Sequence, residues 1–398
     1  MAKVMIAHPP KPEGPAPVRF FLVGALAQSL TNFRGPLLQA LTDAGCETHA
    51  AADSLLTNEA ATAKLIAMNV KPHSIPLKRA GLNPLADLRA LVAMVILLQK
   101  MRPDMMLSYT IKPVIWGTVA AWLTRVPNRY AMITGLGYAF NDEAAGKRAL
   151  VQRLVKILYR FSLSFAHHVF FQNPDDLALF RELGIIAADK PVTVVNGSGV
   201  DLAHYAAAPQ PNGPPTFLMI SRLLGDKGVR EFAAAARAVR QLHPLTEFHL
   251  VGGLDLNPDS ISQNEVDEWV NNGDIIWHGA QSDVRPFIAR AHVFVLPSYR
   301  EGTPRTVLEA LAIGRPVITT DTPGCRETVT DGYNGFLIPP RSINALVDAI
   351  SKFLTEPERV DIMAKQSLAL ARMKYDAVKV AQGMLDVMGV GSSSRSAR

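Results

Sequence analysis

The sequence predicts an α/β protein of two doubly wound domains that face each other across a cleft. Three observations carry that expectation. Short apolar runs of strand length alternate with longer helical patterns along nearly the whole chain. The alternation breaks once, at residues 206–215, where three alanines, four prolines, Gln, Asn and Gly read as a linker, and then restarts. At 398 residues the chain is also too long for one ordinary core.

Residues 1–18 read as an irregular lead with prolines at 9, 10, 12, 15 and 17. The first domain, 19–205, opens with an apolar strand, Phe20–Leu26. A helix is expected at about 34–45, a strand at 47–52, a helix at 57–68 and a strongly apolar helix at 84–101. Residues 104–108 and 129–133 read as buried strands, and 147–165 as a basic amphipathic helix. His168–Gln172 is a strand, Pro174-Asp175-Asp176 opens a short helix, and Val192–Val195 is another strand. The second domain, 216–374, repeats the rhythm. Strands are expected at 217–221, 248–252, 275–278, 292–297 and 316–320. Helices are expected at 228–242, 260–271, 283–290, 304–313, 324–330, 343–354 and 357–373. A last helix within 375–388 is expected to pack back on the first domain, and the Gly/Ser/Arg-rich tail 389–398 to be disordered.

Apolar residues make up 48% and charged residues 19%, a globular composition. The net charge of +6 is uneven: residues 1–200 hold 21 Lys and Arg against 13 Asp and Glu, the remainder 20 against 22. A basic first half suits an anionic lipid surface or a phosphate-bearing acceptor, or is a scattered solvated surface. Nucleic acid is not an expected partner, because the few aromatics do not interleave with the charges. Two distant cysteines, Cys46 and Cys325, suggest neither a disulfide framework nor a Cys-based metal site. No apolar stretch reaches spanning length and no uninterrupted signal-peptide core is present, so the expected compartment is the cytoplasm.

Chemistry concentrates at the C-terminal ends of the expected strands, where open parallel sheets bind ligands. Glu301 and Glu309 lie in the run Arg300-Glu301-Gly302-Thr303-Pro304-Arg305-Thr306-Val307-Leu308-Glu309. Glu301 follows an apolar strand directly and suits hydrogen bonds to sugar hydroxyls. Glu309 sits on an otherwise apolar helix and needs a partner, either ribose hydroxyls or an internal Arg or Lys. Gly302, Thr303, Pro304 and Arg305 bring backbone N–H groups to the helix start, with Thr303 as its cap and Pro304 as its first residue. Upstream, Arg222 and Lys227 share one strand–helix loop with Gly225 and Gly228 and can clasp a diphosphate. Asn32, Arg34 and Gly35 follow the first strand, where Gly35 would let the chain approach a phosphate or simply start a helix.

Tyr109 and Lys112, then Thr134, Gly135 and Tyr138, then Asn196, follow three further strands and mark an acceptor side. Lys112 is the candidate for an acceptor phosphate, and the two tyrosines either stack on a sugar or pack. The histidines fall beside predicted strands and helices, and HExxH, CxxC and GxSxG are absent. On helix 147–165, Lys147, Arg148, Arg153, Lys156 and Arg160 alternate with leucine, valine, isoleucine and phenylalanine. That pattern fits an interfacial helix or one packed on a sheet.

Together these residues resemble the retaining GT-B glycosyltransferases of family 4 over roughly residues 19–387. The resemblance implies two Rossmann-like domains, with Glu301, Arg222 and Lys227 at the catalytic centre. Arg222 and Lys227 would bind the donor diphosphate, Glu301 the transferred hexose and Glu309 the ribose. Thr303, Pro304 and Arg305 match the loop that touches sugar or diphosphate, and Asn32, Arg34 and Gly35 a loop near the donor phosphates. Segments 109–113 and 134–137 resemble a narrower bacterial group that extends polyprenyl-diphosphate-linked glycans from UDP-sugars, for capsule, exopolysaccharide, O-antigen or protein-linked glycan. Many members carry a histidine where this chain reads Thr134-Gly135-Leu136-Gly137, so that contact is not carried over. No cofactor is expected, and without an Asp-x-Asp motif transfer is expected to need no metal. The expected partners are a UDP-sugar, a polyprenyl-diphosphate-linked acceptor and an anionic membrane surface, with the protein peripheral at the inner face of the cytoplasmic membrane. The alternatives are a soluble family 4 transferase with a non-lipid acceptor, a nucleotide-sugar 2-epimerase and a non-catalytic sugar-binding protein.

Overall fold

The computed structural model describes residues 16–78, 83–136, 147–255, 257 and 259–390. Its first domain is a parallel sheet of β1 (Arg19–Leu26), β2 (Glu47–Asp53), β3 (Lys71–Ser74), β4 (Met105–Tyr109), β5 (Asn128–Ile133), β6 (His168–Phe171) and β7 (Val192–Val194). The spatial order is β3-β2-β1-β4-β5-β6-β7. The intervening helices are α1 (Ala27–Asp43), α2 (Glu59–Ala67), α3 (Pro84–Met101), α4 (Thr118–Leu123), α5 (Lys147–Ser164) and α6 (Pro174–Glu182). They cover both faces, which is why Phe20, Phe21, Leu22 and Val23 of central β1 are all buried rather than alternating.

The second domain has β8 (Thr216–Ile220), β9 (Glu247–Val251), β10 (Ile276–Trp277), β11 (Val293–Leu296), β12 (Val317–Thr320) and β13 (Gly335–Ile338), ordered β10-β9-β8-β11-β12-β13 and again parallel. Its helices are α7 (Val229–Leu242), α8 (Gln263–Asn271), α9 (Arg285–Arg290), α10 (Arg305–Ile313), α11 (Ile343–Thr355) and α12 (Glu358–Lys374). In both sheets the strand order reverses next to the first strand, so each places its ligand crevice at the C-terminal ends of β1/β4 and β8/β11. The last helix, α13 (Ala377–Met388), leaves the second domain and buries Ala381, Met384, Leu385 and Met388 in the core beneath α1. The linker is pinned rather than loose. The fully buried guanidinium of Arg315 donates to the carbonyls of Pro209, Ile288 and Ala289.

Several elements depart from the sequence expectation. The first helix does not begin at 34. It starts at Ala27, straight from β1, and runs through Pro36. Gly35-Pro36 reads as a helix start, but nothing in 27–33 breaks a helix, and packing outweighs the hydrogen bond the proline removes. The short edge strand β3, with Pro72 inside it, is an addition, and an edge is where a strand tolerates proline. So are β13 and the helical run from Ile111, which includes a π-helical turn at Pro113–Gly117 before α4. The expected helix at 324–330 is a single 3₁₀ turn at Arg326–Thr328. No helix among the described residues is long and apolar enough to cross a membrane.

Candidate active site at the domain seam

The β8–α7 loop and the β11–α10 loop meet at the crevice of the second sheet. Gly228 precedes α7 with φ of 75°, and a Cβ there would lie 2.2 Å from the Pro297 carbonyl oxygen. Glycine is what lets the two loops close up. Lys227 Nζ then donates to Glu301 Oε1 at 2.6 Å, and Ser298 Oγ donates to the same oxygen at 2.9 Å. Burial works against charge on Lys227, but Glu301 and Asp226 beside it hold its pKa above the usual lysine value. Arg222 is half-exposed and pairs with Asp255 at 3.0 Å. A compact, charged Lys–Glu pair at strand ends, with a mobile-length arginine on the rim, is a place for an anionic, hydroxyl-rich ligand.

Glu309 lies in the second turn of α10, 5% exposed. It has an internal partner: Arg305 Nε donates to Glu309 Oε1 at 2.8 Å, and the Tyr205 hydroxyl also bonds to it. Burial pushes the Glu309 carboxyl above its ordinary range against the pull of Arg305. A carboxylate offers roughly four acceptor positions, so these bonds orient it without saturating it. The Arg305 guanidinium also lies 5.1 Å over the Phe33 ring of α1. Between them a cavity of about 280 Å³ is lined by Asn32, Phe33, Ser198, Asp201, His204 and Arg305 among others. A larger cavity, about 800 Å³, opens at the other end of β9 and β10 beside Leu245 and Trp277, and carries none of these groups.

The seam between the domains is made where the Glu301 loop meets the first sheet. Gly135 has φ of 96°, and a Cβ on it would lie 3.1 Å from Gly302 N. A Cβ on Gly197 would lie 2.8 Å from Thr303 Cβ. Thr303 Oγ1 donates to Gln172 O at 3.0 Å. The expected cap by Thr303 is therefore not made: Pro304 occupies the N-cap position and no side chain caps α10.

A family model for group 1 glycosyl transferases matches residues 204–368, and one for a glycosyl transferase 4-like domain matches 33–197. The N,N'-diacetylbacillosaminyl-diphospho-undecaprenol alpha-1,3-N-acetylgalactosaminyltransferase of Campylobacter jejuni is 30% identical over 370 residues, 90% of this chain and 94% of its own. The chain belongs to this glycosyltransferase family. The UDP-Gal:alpha-D-GlcNAc-diphosphoundecaprenol alpha-1,3-galactosyltransferase of Escherichia coli is 26% identical over 75% of this chain and 78% of its own. Sucrose-phosphate synthase from Thermosynechococcus elongatus shares the fold, with a TM-score of 0.76 at 19% identity over 94% of this chain and 98% of its own.

The structure of this glycosyltransferase separates the sequence candidates. Glu301, Lys227, Gly302, Thr303, Pro304, Arg305 and Glu309 converge at the seam with Thr134 and Gly135, and Asn196 is half-buried next to Gly197. Asn32, Arg34 and Gly35 sit on α1, not on a loop. A Cβ on Gly35 would meet only Met68, at 3.8 Å, so no close approach requires glycine there. Arg34 is 3% exposed over the Tyr109 ring, and burial holds its pKa down to about 10. Tyr109 is 2% exposed, bonds Ser29 at 2.7 Å and fills the space Gly24 leaves, so it packs and does not stack on a sugar. Lys112 is held by Asp87 at 2.6 Å, both mostly buried, and is not presented to an acceptor phosphate. Tyr138 lies outside the described residues, as do the side chains of Lys147 and Arg148. Sequence reasoning missed Asn173 and Asp176 of the first domain, which reach the Glu301 loop.

Proposed function

We propose that this glycosyltransferase moves a hexose or N-acetylhexosamine from a UDP-sugar, with retention, onto a polyprenyl-diphosphate-linked saccharide in surface-glycan biosynthesis. The observation that carries the reading is the Lys227–Glu301 pair at the domain seam, one helix start away from buried Glu309. Glu309 receives the ribose hydroxyls, Lys227 and Arg222 the diphosphate, and Glu301 the sugar hydroxyls. As the acceptor oxygen bonds to the sugar carbon, the bond from that carbon to the diphosphate breaks on the same face. The acceptor proton passes to the leaving diphosphate, whose growing charge the two cations stabilise. Both relatives named above form alpha-1,3 products on diphospho-undecaprenol-linked sugars, and one uses UDP-Gal, which supports the acceptor, the donor and retention together.

The membrane side fits the same reading. On α5, Leu150, Leu154, Ile157 and Phe161 are all exposed along one stripe, flanked by Arg153, Lys156 and Arg160. On α3, Leu85, Leu88, Val92 and Ile96 form a second exposed stripe, and α4 between them exposes Trp122 and Leu123. An apolar face with basic edges suits shallow insertion among anionic headgroups, with the acceptor's tail left in the bilayer.

The test is a screen of UDP-, GDP- and ADP-sugars against a short polyprenyl-diphosphate-linked sugar, reading product mass and anomer. An α-linked product from a UDP-sugar supports the proposal. Turnover only with non-lipid acceptors, or an inverted product, overturns it.

A further inference from the structure

We propose that Asn173 and Asp176, in the first domain, are positioning residues for Glu301, in the second; the inference rests on the sugar-contacting role proposed for Glu301. Asn173 is the N-cap of α6 and fully buried. Its Oδ1 accepts from Asp176 N at 2.7 Å, which satisfies the cap. Its amide Nδ2 goes further. It crosses the domain boundary and donates to Gly302 O at 2.8 Å, with Glu301 O at 3.4 Å. Asp176, also fully buried, takes Asn173 Nδ2 on one oxygen at 3.1 Å and Arg300 Nη2 on the other at 2.5 Å. The residues on both sides of Glu301 are therefore gripped by the first domain.

The loop has no slack on its other side. Gly324 has φ of 82°, and a Cβ there would lie 2.1 Å from Glu301 O. Glu301 N donates to Pro323 O at 3.0 Å. A Cβ on Gly302 would lie 2.6 Å from Gln172 Oε1. A buried carboxylate aimed across a domain boundary costs free energy unless it is paired there, and capping α6 needs only Asn173. The physical sense of Asp176 is the loop it holds. The backbone that carries Glu301 is thus held by the docked pair of domains, while its carboxylate meets Lys227 and Ser298 of the second domain.

The experiment compares Asn173→Ala and Arg300→Lys with the wild type, each alone and combined with Glu301→Gln, measuring kcat, donor KM and UDP affinity by calorimetry. The expected result is a kcat lowered about 10- to 100-fold with UDP affinity unchanged, since displacing a contact by about 1 Å costs of this order. In the Glu301→Gln background the same changes should lower kcat no further. Full-rate single variants, or losses that multiply with that of Glu301→Gln, overturn the proposal. If Glu301→Gln itself turns over at the wild-type rate, the role of Glu301 falls, and the clamp with it. Should Asn173→Ala not fold, Arg300→Lys, at a side chain one-fifth exposed, carries the same measurement.

Discussion

Lys227 and Glu301 stand 74 positions apart in sequence and 2.6 Å apart in space. The ammonium that would meet a diphosphate also holds the carboxylate that would meet the sugar. On the proposed reading, donor binding would exchange one set of charge-assisted bonds for another, without uncovering a bare charge.

Replacing Glu301 tests that exchange first. Glu301→Gln and Glu301→Ala should lower kcat by about 10²-fold while UDP affinity stays, because the contact proposed for Glu301 is to the transferred sugar. Steady-state transfer assays beside calorimetry with UDP check this. Full-rate transfer by Glu301→Ala removes the assignment.

The two cations should differ. Lys227→Met strips Glu301 of its partner as well as the diphosphate of its cation, so kcat and donor KM should both worsen. Arg222→Ala breaks only an exposed pair with Asp255, so thermal stability should hold while donor KM rises about tenfold, equivalent to about 1.4 kcal/mol. Equal effects from the two variants would contradict this division of labour.

Metal removal separates two ways of neutralising the diphosphate. With Lys227 and Arg222 as the cations, transfer should persist in excess EDTA. Abolition by EDTA with recovery on adding magnesium or manganese would show that a divalent ion does that job.

The α3–α4–α5 face predicts salt-sensitive binding to anionic vesicles. Reversing Arg153, Lys156 and Arg160 to glutamate should release the enzyme in liposome flotation while leaving transfer to a short-chain acceptor intact. Flotation unaffected by the reversal would count against this face.

Acid stability should depend on a histidine pair at the edge of the first sheet. His49 Nδ1 and His73 Nε2 lie 2.9 Å apart, and burial, followed by the charges of His49, Lys100 and Lys71, takes the His73 pKa down to about 4. The unfolded value is about 6.5. Between those values the unfolded chain binds a proton that the folded chain refuses, so stability falls as pH drops from about 6.5 towards 4. Urea midpoints at several pH values should show this slope reduced in His73→Gln; an unchanged slope would place the proton uptake elsewhere.

Much of the placement of the candidate site was legible because it is local. Arg222, Lys227, Glu301 and Glu309 each sit just past a strand's C-terminal end or within the first two turns of the helix that follows, and βα periodicity finds those places. Lys112 and Tyr109 follow a strand in the same way, yet Asp87 and Ser29 claim them from elsewhere in the first domain. Position along the chain locates a residue near a crevice; only packing decides whether its polar end points into it.

Asn173-Pro174-Asp175-Asp176 shows the limit most clearly. Read locally, it is a capped helix start with acids in the first turn, and that explanation is complete. Its second use, holding the backbone around Glu301, needs Gly302 and Arg300 brought from about 125 positions downstream. The sequence by itself determined two parallel-sheet domains, their linker and the wall of charged groups on the second, because short-range periodicity and turn chemistry encode them. The tertiary structure decided which of those groups are buried, paired or presented, because that depends on how the two sheets dock.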